Sequence, residues 1–103
     1  MALFIATYDL GEAHSPHSAF LKAAKSLGWE PWIKGSSEPK WRKLPNTTLE
    51  ATFSDIDAAV TAFKAIKPAA ERELGYSITI EKWIVIQYTE ARFRSDETLT
   101  IKK

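Results

Sequence analysis

Residues 2–8 (Ala-Leu-Phe-Ile-Ala-Thr-Tyr) form an apolar, aromatic-rich run of strand length that ends at Asp9, Leu10 and Gly11. Alternation sends Leu3 and Ile5 to one face and Phe4, Ala6 and Tyr8 to the other, so both faces need cover and the strand belongs in the centre of a sheet. After a polar loop, Ser15 is the predicted N-cap of a helix, with Pro16 at its first position. Phe20, Ala23, Ala24 and Leu27 keep helical spacing, and Gly28 supplies the stop. Trp29, Trp32 and Ile33 then suggest a strand that Pro31, Gly35, Ser36, Ser37 and Pro39 break up, which suits a sheet edge. Residues 46–53 alternate cleanly, with Leu49, Ala51 and Phe53 predicted inward and Thr48, Glu50 and Thr52 outward. Ser54 is the predicted cap of a second helix, whose buried stripe is Ile56, Val60, Phe63, Ala70 and Leu74. Pro68 predicts a kink or break near Lys67, and Gly75 ends the element. Residues 77–89 are β-branched and aromatic, suited to one strand or a pair bent around Lys82. Of the charged stretch 91–103, Thr98 to Ile101 suits either a short extra strand or a loose tail.

This order predicts an α+β domain over residues 1–90, a ferredoxin-like βαββαβ unit with an antiparallel sheet and both helices on one face, followed by a tail at 91–103 that could dock on a partner. Helices on one face leave the other uncovered, yet Leu3 and Ile5, and Ile84 and Ile86, alternate with Phe4 and Tyr8, and Trp83 and Val85. At about 25 cal/mol per Å², leaving three or four such side chains wet forfeits several kcal/mol. A two-fold partner is the simplest cover, so a homodimer is predicted, with the tail folding back over that face as the alternative.

Composition narrows the classes further. The 103 residues suit one domain, and 45% hydrophobic with 26% charged residues is an ordinary globular balance. A formal net charge of +1 leaves any nucleic-acid site to a local cluster. The absence of cysteine excludes disulfides, thiolate metal sites and a cysteine nucleophile. No apolar run reaches the length of a membrane span and the start lacks a basic targeting region, so a cytoplasmic protein with no membrane partner is expected.

Two clusters carry candidate chemistry. Asp9, Glu12, His14 and His17 bring carboxylates and imidazoles to the end of the first strand, a donor set suited to a divalent ion. Asp9 leads this set, because a dimer axis could bring two copies together as a magnesium or manganese site. The same residue types also suit a solvated turn. In the second cluster, Trp41 lies among Lys34, Lys40, Arg42 and Lys43, and aromatic faces interleaved with cations suit RNA or DNA strands. Trp29 and Trp32 are expected to close the core instead. The four glycines are scattered and form no phosphate-binding loop, and no organic cofactor is expected.

Tyr8-Asp9-Leu10 at the end of the first strand, the helix with Pro16, Phe20 and Leu27-Gly28, and the run Leu44-Pro45-Asn46-Thr47-Thr48 resemble the SinR-like and VapD-like proteins, relatives of the small second Cas protein of CRISPR spacer acquisition. The resemblance covers about residues 2–89. It implies a ferredoxin-like fold dimerising through the open sheet face, with a docking C-terminal segment. It also implies that two Asp9 carboxylates hold one magnesium or manganese ion in members that cleave RNA or DNA. The chain departs from nuclease relatives in having Ser15, Pro16, His17 and Ser18 where they place basic residues. Three readings stay open: a nucleic-acid-associated adaptor, a metal-dependent endoribonuclease acting through Asp9, and a small-molecule binder with a pocket lined by Phe4, Tyr8 and Trp83.

Overall fold

The computed structural model describes residues 1–34 and 40–99. Gly35 to Pro39, expected to interrupt a strand, and the end of the tail from Thr100 lie outside the described residues. Strand β1 (Ala2–Leu10) is central, as its two apolar faces require, between β4 (Thr48–Phe53) and β5 (Ile80–Tyr88), and both pairings are antiparallel. Two shorter strands, β2 (Trp32–Lys34) and β3 (Trp41–Lys43), separate from this sheet. They form a second antiparallel sheet with β6 (Thr98–Leu99). The molecule is therefore α+β, with a three-stranded antiparallel main sheet. The single interrupted edge strand expected over 29–45 is instead a pair of short strands. The backbone bridge Glu30 to Glu50 ties that segment to the β4 edge, and Trp29 packs on Phe53 beside it with ring centroids 5.5 Å apart.

Helix α1 (His17–Ser26) and the segments α2 (Ile56–Lys64) and α3 (Ile66–Leu74) cover the Phe4, Ala6, Tyr8 and Leu10 face of β1. Phe63 is the hub of this layer. Its ring centroid lies 5.9 Å from Tyr8, 6.2 Å from Phe20, 6.1 Å from Trp29 and 5.4 Å from Trp83. Trp29 is fully buried, as expected, whereas Trp32 is half-buried.

Several local expectations need correction. The α1 cap is Pro16 rather than Ser15, without a side-chain cap bond, and Ser15 has the left-handed φ of 49°. Asp55, not Ser54, caps α2, its carboxylate accepting from the Ala58 N–H at 2.8 Å. The break falls at Ala65, upstream of Lys67. Pro68 has no N–H to offer the Lys64 carbonyl four residues back, and its ring crowds that carbonyl, so α2 stops at Lys64. Within the first turn of α3 the missing N–H costs nothing. Ile56 is exposed rather than buried, while Ala59 and Ile66 join Phe63 and Ala70 in the core. The Gly75 stop is as predicted, in a left-handed conformation with φ 84°. The bend expected near Lys82 is a bulge: Asp9 pairs with Lys82 and Leu10 with Ile80, leaving Glu81 over.

On the opposite face of the main sheet, Leu3, Ile5 and Thr7 lie across from Tyr88, Ile86 and Ile84. Ile84 is 54% and Ile86 46% exposed, so this face is apolar and open, as the alternation predicted. Among the described residues no helix is long and apolar enough to cross a membrane.

Candidate nucleic-acid interface

Side-chain alternation in the small sheet sorts the basic cluster. Trp32 pairs with Lys43 and Lys34 with Trp41, so these four share one face, while Arg42 pairs with Ile33 on the other. There the Arg42 guanidinium donates to the Ser95 carbonyl at 2.9 Å. Arg42 thus ties the tail to β3. Lys40 is exposed just before β3, and Lys34 is exposed at the end of β2. Lys43 departs from the group, because it lines a different cavity, described below.

Lys34 and Trp41 line a cleft of about 490 Å³ between the small sheet and the Leu3 end of the open face. The segment after β5 closes it, contributing Arg92 and Phe93, and Tyr88 completes the wall. The Tyr88 hydroxyl donates to the Glu50 carboxylate across the sheet. Burial, and then this bond to a carboxylate, push the Tyr88 hydroxyl above its ordinary range, so it stays a neutral donor. Three aromatic rings and two cations therefore border one groove, while Glu50 is engaged by Tyr88 and Glu90 adds an acid. Aromatic walls can stack bases and the cations can meet phosphates. Sequence reasoning missed Tyr88, Arg92 and Phe93. The one signal was local: Phe93 stands between Arg92 and Arg94 in a stretch otherwise short of apolar residues.

The acidic and imidazole cluster does not assemble as a set. Glu12 accepts from or pairs with His17 Nε2 at 3.0 Å, both exposed. His14 instead stacks on Tyr76, centroids 3.7 Å apart and planes within 8°. Asp9 faces Lys82 Nζ at 4.0 Å on the open sheet face, its side chain 59% exposed. Among the described residues, no three His, Asp or Glu side chains stand close enough to hold a metal ion. The reason lies in direction: Asp9 follows the open face with Leu3, Ile5 and Thr7, whereas His14 and His17 lie beyond the turn, each with a separate partner.

The small-molecule pocket is also redrawn. Phe4 is fully buried and Tyr8 6% exposed in the helix-covered layer, where Trp83 packs on Phe63. By alternation these side chains point away from the open face, so the cleft between sheet and tail is lined by other residues.

Compared with protein-family models, curated proteins and solved structures, the chain matches none.

Proposed function

We propose that this protein is a nucleic-acid-associated adaptor that holds short single-stranded RNA or DNA in the Trp41–Phe93 cleft. The observation that carries the reading is the gathering of Trp41, Tyr88 and Phe93 with Lys34 and Arg92 around one groove. Stacking needs only a base face and works without sequence preference, so the adaptor binds strands rather than sequences. With two lining cations and a net charge of +1, its affinity falls in the micromolar range typical of non-specific binding. A cytoplasmic location would expose it to RNA. Fluorescence anisotropy with a labelled single-stranded RNA tests this. Trp41→Ala and Phe93→Ala are expected to weaken binding about fivefold or more each, at about 1–3 kcal/mol per stacked base. Equal affinity for a duplex of the same length would refute base stacking.

The likeness to SinR-like and VapD-like proteins belongs to the same proposal, as does a ferredoxin-like βαββαβ reading with its second strand drawn into the small sheet. The Glu30 to Glu50 bridge beside β4 supports the latter. A second copy seated on Ile5, Ile84 and Ile86 is also part of the proposal: the cleft takes up the Leu3 end of the open face, and the remaining stripe is apolar and ends in the opposite charges of Asp9 and Lys82.

One observation favours a second reading, a magnesium- or manganese-dependent endoribonuclease. The exposed Asp9 carboxylate lies on the face that such a copy would cover. RNA cleavage with either metal should then disappear in Asp9→Ala, and equal cleavage by both proteins removes Asp9 from the chemistry.

A further inference from the structure

A second cavity, of about 340 Å³, lies on the helix-covered side, where the start of α1 meets the connection from β3 to β4. It shares no lining residue with the cleft. Leu21, Pro31 and Leu49 give it apolar walls, and Tyr8, His17, Lys43 and Asn46 supply polar groups. Two of these groups lack partners. Tyr8 is 6% exposed, yet its hydroxyl makes no hydrogen bond to any described residue. Burial pushes that hydroxyl up to about 12, so it remains a neutral donor. Half-buried Lys43 has no carboxylate partner among the described residues, although its backbone N–H is held by the Glu97 carbonyl.

The Tyr8 hydroxyl and the Lys43 ammonium are therefore both available to donate to an anion entering the cavity. The connection is shaped to present this rim. Thr47 takes the left-handed φ of 57°, the Thr47 and Thr48 hydroxyls both donate to the Asn46 backbone carbonyl, and exposed Asn46 lines the cavity. His17 opens α1 and its Nε2 is held by the exposed Glu12 carboxylate at 3.0 Å, so an anion is left to Lys43, Asn46 and Tyr8. The volume is at the small end of ligand sites, with room for one ring and one head group rather than a strand.

We propose that this cavity binds a phosphate monoester carried on a flat, partly apolar body, the chemistry of a nucleoside 5′-monophosphate. Lys43, Asn46 and the Tyr8 hydroxyl hold the phosphate, and Leu21, Pro31 and Leu49 hold the ring. Such a group could come from a free nucleotide or from the phosphorylated end of a strand.

Amide-resolved NMR titration of the full chain with adenosine 5′-monophosphate, adenosine and inorganic phosphate tests the site. The monophosphate is expected to saturate with shifts at His17, Lys43, Asn46, Thr47 and Thr48, and adenosine to bind at least tenfold more weakly. Lys43→Met should weaken the monophosphate at least tenfold and Tyr8→Phe several-fold. Asn46 is exposed, so Asn46→Ala keeps the test valid should either of those variants unfold, and a several-fold loss is expected from it too. Equal binding of adenosine, shifts confined to the Trp41–Phe93 cleft, or unchanged affinity in both Lys43→Met and Asn46→Ala would overturn the proposal. A 5′-phosphorylated RNA that outcompetes both the monophosphate and its 5′-hydroxyl twin assigns the phosphate to a strand end. Monophosphate binding that persists in Trp41→Ala, with no advantage for the strand, assigns it to free nucleotide. Failure of the adaptor reading is distinct from failure here, since it would abolish strand binding and leave these shifts intact.

Discussion

The salt dependence of strand binding separates the two physical contributions that the cleft combines. Lys34 and Arg92 are the cations that line it. Each phosphate neutralised on a single strand contributes a slope of about −0.7 to the logarithm of affinity against the logarithm of salt. Two contacts therefore give a slope near −1.4, and raising salt from about 50 to about 200 mM should weaken binding about sevenfold. Stacking on Trp41 and Phe93 displaces no counterions, so it shifts the whole line without tilting it. Fluorescence anisotropy with a labelled oligonucleotide over a series of salt concentrations measures both. The double variant Lys34→Ala with Arg92→Ala should flatten the line towards zero slope, while Trp41→Ala should lower it in parallel. A flat line for the wild type, or an unchanged slope in the double variant, refutes the placement of phosphates in this groove. A slope several times steeper would mean that cations outside the cleft, Lys40 among them, do most of the binding.

Three further outcomes follow from the packing and the ion pairs. Phe63→Ala removes a fully buried ring that touches four other aromatic residues, so chemical denaturation should report a loss of about 3–5 kcal/mol, and a loss below about 2 would show that the layer collapses to fill the space. Ile84→Glu with Ile86→Glu puts charge on the open face, and sedimentation should show a dimer of the wild type turning into monomers; a wild type already monomeric at working concentration refutes the paired face. Glu71 accepts from Lys67 Nζ and from the Ile78 N–H, each at 2.8 Å, and these bonds, Lys67 first, hold its carboxyl below the ordinary value. A depressed folded pKa stabilises above the unfolded value near 4.5 and loses that stabilisation as pH falls through the folded one. Glu71→Gln should therefore melt lower than wild type at neutral pH and converge with it in acid, and a gap independent of pH refutes the linkage.

Where local chemistry decides structure, the chain was readable. β1 announces its central position by being apolar on both faces, and the alternation of Leu49 and Ala51 fixes the inward face of β4. Gly28 and Gly75 mark helix ends because both take positive φ. Long-range pairing was not readable. Nothing local tells β2 and β3 to pair with each other, and β3 with Thr98 to Leu99, instead of extending the main sheet. The cleft inherits that blindness, since Lys34 and Trp41 were visible as candidates while Tyr88 reaches them through the register of β5 and Arg92 and Phe93 through the path of the tail. The proposed ligand cluster failed for a related reason. Proximity in sequence brought Asp9, Glu12, His14 and His17 together on paper, but strand alternation and a turn send Asp9 and His14 to Lys82 and Tyr76.

The position of β5 has a consequence for the life of the chain before and after folding. Among the described residues its outer edge pairs with no strand, which leaves a nine-residue row of backbone donors and acceptors able to template growth by another copy. The Glu81 bulge and the Lys82 charge blunt one end of that row, yet Ile84 to Ile86 stays apolar and in regular register with β1. Crowded or partly unfolded preparations should therefore aggregate from this margin first, and a single lysine at Val85 would act as a gatekeeper at some expense to the helix-covered layer.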